Sequence, residues 1–318
     1  MRKLELNRIT ASLRNLTPMQ RKVVAAELAA LDAQPVSTMI VEGRFANGAA
    51  CPHCKGKRVS RYGHANGLQR YRCRECGKTF SALTGTPLCG LHKRGKWLGQ
   101  AEALREGLTL HNVADALNIH VSTAHRWRHR FLKLPMALQP QALTGIAEAD
   151  ETMFLLSFKG KRSGFDRPSR KRGGKAAKRG LSHEQVPVLV TRDRAGVTMD
   201  CVLKAMDMTT LSTALKPFLS KDVVLCTDGS SALAGAARQL GVEHHAVNLA
   251  AGVRVDGAWH VQNVNAYHSR LKGWVYKFRG VATRYLANYL GWFRALDRTH
   301  GNGQKPQQWL AMALGAAA

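Results

Sequence analysis

Acidic side chains are scarce in this chain: 21 Asp and Glu stand against 48 Lys and Arg, a formal net charge of +27. The deficit excludes an acidic polymer and implies a polyanionic partner, because Lys and Arg that neutralise phosphates release condensed counterions. Nucleic acid is the first candidate and an anionic membrane surface the second. Long hydrophobic runs are also missing, since none approaches the roughly 20 apolar residues needed to span a bilayer. The stretch from Met1 to Arg8 lacks the uninterrupted apolar region of a secretory signal. A soluble, intracellular protein with no membrane partner is therefore expected. Cysteine is sparse, seven in 318 residues, and Cys89, Cys201 and Cys226 stand singly, which argues against a disulfide framework and reads as core thiols. What remains is 45% hydrophobic, enough for at least one large core in two or more domains.

The other four cysteines form Cys51-Pro-His-Cys54 and Cys73-Arg-Glu-Cys76, separated by 18 residues. Each pair makes a tight knuckle that aims two thiolates at one point, and two knuckles complete the tetrahedral shell that Zn²⁺ prefers. A redox role is the competing reading of any single C-x-x-C, and two matched pairs weigh against it. Lys57 to Gly63 and Leu68 to Arg72 read as two short strands turning at Ala65-Asn66-Gly67, the plan of a zinc ribbon. Four thiolates leave the metal no open position, so the zinc is structural, with His53 outside the shell.

Ahead of the ribbon, Thr17 and Pro18 start a helical pattern running to about Leu31, and Gly43 to Ala50 reads as a linker. Behind it, Lys96 to Phe131 carries three helical segments. On the third, expected to be capped by Ser122, Ala124, Trp127 and Phe131 share a buried face while Thr123, Arg126 and Arg130 line another. This is the pattern of a helix-turn-helix whose last helix enters the major groove. An ordinary three-helix packing unit with a basic outer face is the alternative.

After a Pro-containing linker, the remaining chain reads as three strands, helix, strand, helix, strand, helix. Ile146 to Leu156 is an apolar strand carrying Asp150, a carboxylate that is costly there unless solvated, paired or metal-bound. Val223 to Thr227 is a buried strand that stops at Asp228, before Gly229 turns the chain into a helix. If these strands are neighbours, the two carboxylates converge into a site for two Mg²⁺ ions, suited to displacement at phosphorus. The last helices offer no acid between His260 and Lys272, but Asn265 and Lys272 lie two turns apart on one face. An amide oxygen can bind Mg²⁺, and the lysine can hold phosphate charge. Between these segments, residues 159–179 carry ten Lys and Arg against one acid, a basic loop expected to bind DNA phosphates through residues such as Arg170, Lys171 and Arg172.

Asp150-Glu151-Thr152, Thr227-Asp228-Gly229 and His260 to Asn265, followed by Ser269-Arg270-Leu271-Lys272, resemble the DDE-type transposases of small prokaryotic insertion sequences. The nearer likeness is to the zinc-ribbon subgroup with an Asp-Asp-Asn-Lys set, in which Asn265 replaces the wider family's Glu. Val281 to Leu286 and Tyr289 to Arg294 also resemble that subgroup's closing helices. The resemblance covers about residues 48–298. It implies an α/β fold with a ribonuclease-H-like mixed sheet, preceded by a zinc ribbon and a helix-turn-helix unit. The domains expected are a helical segment 1–47, a ribbon 48–88, a helix-turn-helix 92–135, a core 144–300 and a tail 301–318. By position, Asp150, Asp228, Asn265 and Lys272 inherit the catalytic roles, with Mg²⁺ or Mn²⁺ on the first three. The implied activity is binding of the element's terminal inverted repeats, cleavage at the 3′ ends and joining to target DNA by transesterification. Double-stranded DNA is the implied partner, a homodimer or higher assembly on DNA is expected, and the setting is a prokaryotic cytoplasm. The competing readings are a DNA-binding regulator with an inactive core and a structure-specific nuclease.

Overall fold

A computed structural model describes residues 3–161, 163–164, 174–178, 182–247, 251–298 and 305–315. These fall into two compact units, residues 1–134 with 301–318, and residues 135–300.

The first unit opens with helices α1 (Lys3–Leu13) and α2 (Pro18–Gly43). Thr17 and Gln20 cap α2 reciprocally, as the Thr-Pro start predicts. Its C-terminal end lies well beyond Leu31, because Pro35 is accommodated and the apolar residues continue to Val41. Among the described residues α2 alone is long and apolar enough to cross a membrane by length and composition, with Glu27 and Asp32 interrupting its apolar run. Here it is held in the unit by Glu27, paired with the buried Lys96, and by Glu42, which accepts from the Gln69 amide at 2.9 Å. The ribbon follows as β1 (Val59–Ala65), β2 (Leu68–Cys73) and β3 (Thr79–Ser81), with Asn66 and Gly67 both at positive φ in the hairpin turn. The third strand was not expected, since three residues are too few to show a period. Helices α3 (Trp97–Arg105), α4 (Leu110–Leu117) and α5 (Val121–Phe131) close the unit around Trp97, Ala124, Trp127 and Phe131. The α5 cap is His120, not Ser122: its ring accepts the Ser122 amide.

Beyond a short helix α6 (Lys133–Ala137), the second unit is a five-stranded sheet of β4 (Ile146–Leu155), β5 (Gln185–Asp193), β6 (Thr198–Val202), β7 (Val224–Thr227) and β8 (Glu243–Ala246). The order is β6-β5-β4-β7-β8, with the first three antiparallel and β4, β7 and β8 parallel. This is the ribonuclease-H-like arrangement. Helices α7 (Met208–Leu215) and α8 (Ser231–Leu240) cover one face, packing Leu211, Leu215 and Leu233 on Ala147, Ala149 and Leu225. Helices α9 (Gln262–Tyr276) and α10 (Leu286–Asp297) cover the other, packing Val264, Tyr267, Leu271 and Phe293 on Val188 and Val190. Each such side chain contributes about 1.5–3 kcal/mol on burial. Within the stretch 253–259 an isolated bridge joins Asp256 to Trp259.

The terminal segment, expected to be a tail, instead contains α11 (Pro306–Leu314) in the first unit. It buries Trp309, Leu310 and Leu314 and contacts α3, an apolar stripe that a free tail would leave in water.

Candidate active site and metal centres

Strand pairing brings the two sequence-predicted carboxylates together. Ile146, Ala147 and Glu148 of β4 pair in parallel with Val224, Leu225 and Cys226 of β7. The same register, carried two residues on, sets Asp228, just past the end of β7, level with Asp150 in the middle of β4. Gly229, at φ +89°, turns the chain away there, and the Asp228 carboxylate accepts from the Ser230 amide at 3.1 Å. Asp150 is mostly buried, and burial first, then the neighbouring Asp228 charge, pushes its carboxyl up to about 6. The Lys272 ammonium pulls it the other way, which places that lysine within electrostatic reach.

Helix α9 presents Asn265, His268 and Lys272 at i, i+3 and i+7. His268 identifies where that face points: its Nδ1 lies 3.5 Å from Asp150 Oδ2. Burial holds its imidazole down at about 4, so it is neutral at pH 7. Asn265 and Lys272 are exposed.

Two residues here were not singled out from sequence. Glu151 is pushed up to about 7 by burial and then by the charges of Asp150 and Asp228. Its Oε1 is buried without a hydrogen-bond partner. Adjacency to Asp150 was its only sequence signal. Glu148 is fully buried on the same strand face as Asp150 and meets the start of α9. Its signal was the spacing of two from Asp150 inside an apolar strand. Asp150 and Asp228 set two carboxylates beside each other on neighbouring strands, with Lys272 in electrostatic reach. That donor set fits a hard divalent cation such as Mg²⁺ or Mn²⁺.

The thiol site is equally defined. The Sγ atoms of Cys51, Cys54, Cys73 and Cys76 all lie within 4.8 Å of one another, with Cys51 to Cys76 at 3.7 Å and Cys54 to Cys73 at 3.6 Å. Zn–S bonds of about 2.3 Å in a tetrahedron require S–S edges of about 3.8 Å, so the cage fits zinc. The two knuckles repeat one backbone design. Lys55 and Gly77 each take a positive φ and donate to the carbonyls of Cys51 and Cys73 at 2.8 and 3.0 Å.

Of the residues expected to touch DNA, Arg126 is exposed and Thr123 partly so on α5. Arg130 differs. Its guanidinium donates to the carbonyls of Pro87 and Cys89, the latter at 2.5 Å, so it braces the chain segment before α3 instead of projecting from the recognition face. Helical spacing could not show this, because the acceptors are more than forty residues away. Arg170, Lys171 and Arg172 lie outside the described residues.

Comparison with known proteins matches residues 142–294 to the ISXO2-like transposase domain, residues 36–79 to the transposase zinc-ribbon domain and residues 94–134 to a homeodomain-like domain. Residues 142–294 thus carry an ISXO2-like transposase domain. A Halobacterium salinarum relative, described as an uncharacterized protein in transposable element ISH50, is 28% identical over 262 residues, covering 81% of this chain and 88% of its own. Among solved structures, a pre-cleavage Mos1 transpososome is 13% identical, with a TM-score of 0.23 over 70% of this chain and 79% of that one. A Mos1 mariner paired-end complex with Mn is also 13% identical, with a TM-score of 0.22 over 67% and 76%. The transposase domain, the zinc ribbon and the homeodomain-like unit together support a DNA-binding transposase.

Proposed function

We propose that this transposase cleaves the 3′ ends of its insertion sequence and joins them to target DNA in one site built from Asp150, Asp228, Asn265 and Lys272. The observation that carries the reading is the convergence of Asp150 and Asp228 on neighbouring parallel strands, with the His268–Lys272 face of α9 turned onto them. Asp150, Asp228 and the Asn265 amide would hold Mg²⁺ or Mn²⁺. The cation, when bound, supplies the Lewis-acid charge that activates an attacking oxygen and offsets charge at the phosphate. Lys272 stabilises the negative charge that builds on the phosphate oxygens during displacement. Neutral His268 packs against Asp150 and holds its carboxylate without competing as a second cation. In the first step water displaces the 3′-oxygen and frees a 3′-hydroxyl; in the second, that hydroxyl displaces a target-strand 3′-oxygen. Each step exchanges one P–O bond for another, so no energy source is needed.

In the first unit, the ribbon and α5 hold the terminal inverted repeats, with Arg126 and Thr123 facing base edges and other basic residues on phosphates. The test uses purified protein, element-end and target DNA, and Mg²⁺, comparing wild type with Asp228→Ala and Asn265→Ala. Joined products that vanish in both variants, with end binding intact, support the reading. Joined products that persist in Asp228→Ala overturn it.

A further inference from the structure

We infer that Glu148 is a positioning residue that sets α9 against the strand bearing Asp150; the inference rests on the proposed roles of Asp150, Asp228, Asn265 and Lys272. Helix α9 begins at Gln262, and its N-cap is Val261, whose side chain has no acceptor for the first-turn amides. Glu148 supplies that acceptor from the sheet. Its Oε2 accepts the Val264 amide at 3.0 Å, and its Oε1 accepts from Asn263 Nδ2 at 2.8 Å. A carboxylate at this end also meets the positive pole of the helix. Glu148 is fully buried, and Arg194 Nη1 compensates the charge at 2.6 Å. Arg194 in turn donates to Ala258 O at 2.8 Å and, from its backbone, to Ile146 O at 3.2 Å. His260 completes the cluster, with Nδ1 3.3 Å from Glu148 and Nε2 2.5 Å from Arg194.

The placement gives this network its consequence. Glu148 and Asp150 are two apart on β4 and share a face, while the clamped Val264 directly precedes Asn265. One carboxylate therefore ties the strand that carries Asp150 to the helix that carries Asn265 and Lys272. An apolar side chain of similar volume would fill the space, but it would leave the Val264 amide and Asn263 without this acceptor and Arg194 without its carboxylate.

The test uses full-length, zinc-loaded protein and the variants Glu148→Ala, Glu148→Gln and Asn263→Ala. Mn²⁺ affinity is read from free Mn²⁺ by electron paramagnetic resonance, and α9 by amide hydrogen exchange. Glu148→Ala is expected to keep end-DNA affinity, to weaken Mn²⁺ binding by about 10–100-fold as supporting residues of metal sites do, and to speed exchange at residues 263–266. Glu148→Gln, which still accepts the Val264 amide, is expected to fall between wild type and Glu148→Ala. Wild-type Mn²⁺ affinity and α9 exchange in folded Glu148→Ala would overturn the inference. If that variant does not fold, Asn263→Ala, which keeps Glu148 paired with Arg194, decides it by the same two readouts. If wild-type protein shows no Asp150-dependent Mn²⁺ binding, the metal reading of the site fails. Faster α9 exchange in Glu148→Ala then still supports the clamp, and unchanged exchange overturns it.

Discussion

Lys272 and the pair Asp150–Glu151 carry the sharpest consequences at the scale of single residues. Lys272→Ala is expected to slow strand joining by about 10²-fold, the scale of losing one charge-stabilising group. End-DNA affinity should be unchanged, and a loss confined to binding would reduce Lys272 to a phosphate contact. Asp150 and Glu151 are pushed up to about 6 and about 7. A carboxyl whose folded pKa lies above its unfolded value binds more protons folded than unfolded, so its contribution to stability falls as pH rises through that window. In metal-free protein, Asp150→Asn is therefore expected to gain stability over wild type between about pH 4 and 6, by roughly 2–3 kcal/mol at the plateau. Denaturation of both proteins at several pH values measures it, and a difference independent of pH would remove Asp150 from the charged cluster.

Elements hold these residues in place, and the second unit does so with an ion pair as well as apolar packing. Asp200 of β6 is buried, receives Arg294 of α10 and accepts Tyr267 Oη of α9 at 2.8 Å. Arg294 also donates to the carbonyl of Leu138. Removing one member strands the other charge in the core, so Arg294→Met is expected to cost about 3–5 kcal/mol, read as a lower urea midpoint. In the first unit, the ribbon's hydrophobic contacts are few, Cys51, Cys73 and Phe80 with Phe45 and Tyr71 around them. Such a sheet depends on its metal. Cys51→Ser, or chelation of zinc, is expected to abolish end binding while the β4–β8 sheet stays folded by circular dichroism; unchanged end affinity would argue against a binding role for the ribbon.

For the whole molecule, a net charge of +27 makes DNA affinity strongly dependent on salt. A slope of log affinity against log salt on the order of −6 to −10 is expected if as many phosphates are neutralised. Titration of end DNA between 50 and 200 mM salt, as an order-of-magnitude span, checks it, and a shallow slope would mean that most of the basic surface is uninvolved.

Much of this was local in the chain and therefore legible there. The C-x-x-C pairs, the Asn66-Gly67 turn, the strand ending at Asp228 and the face shared by Asn265 and Lys272 depend on spacing alone. So did the order of strands and helices in the core. Tertiary structure decided everything that joins distant positions. It turned Arg130 onto Pro87 and Cys89, returned α11 to the first unit, carried α2 to Gly43, and placed Glu148 under the start of α9. The reason is physical: periodicity states which face of an element is apolar, whereas a buried carboxylate or guanidinium takes its role from whichever partner the fold brings within 3 Å, as Glu148 does with Asn263 and Val264.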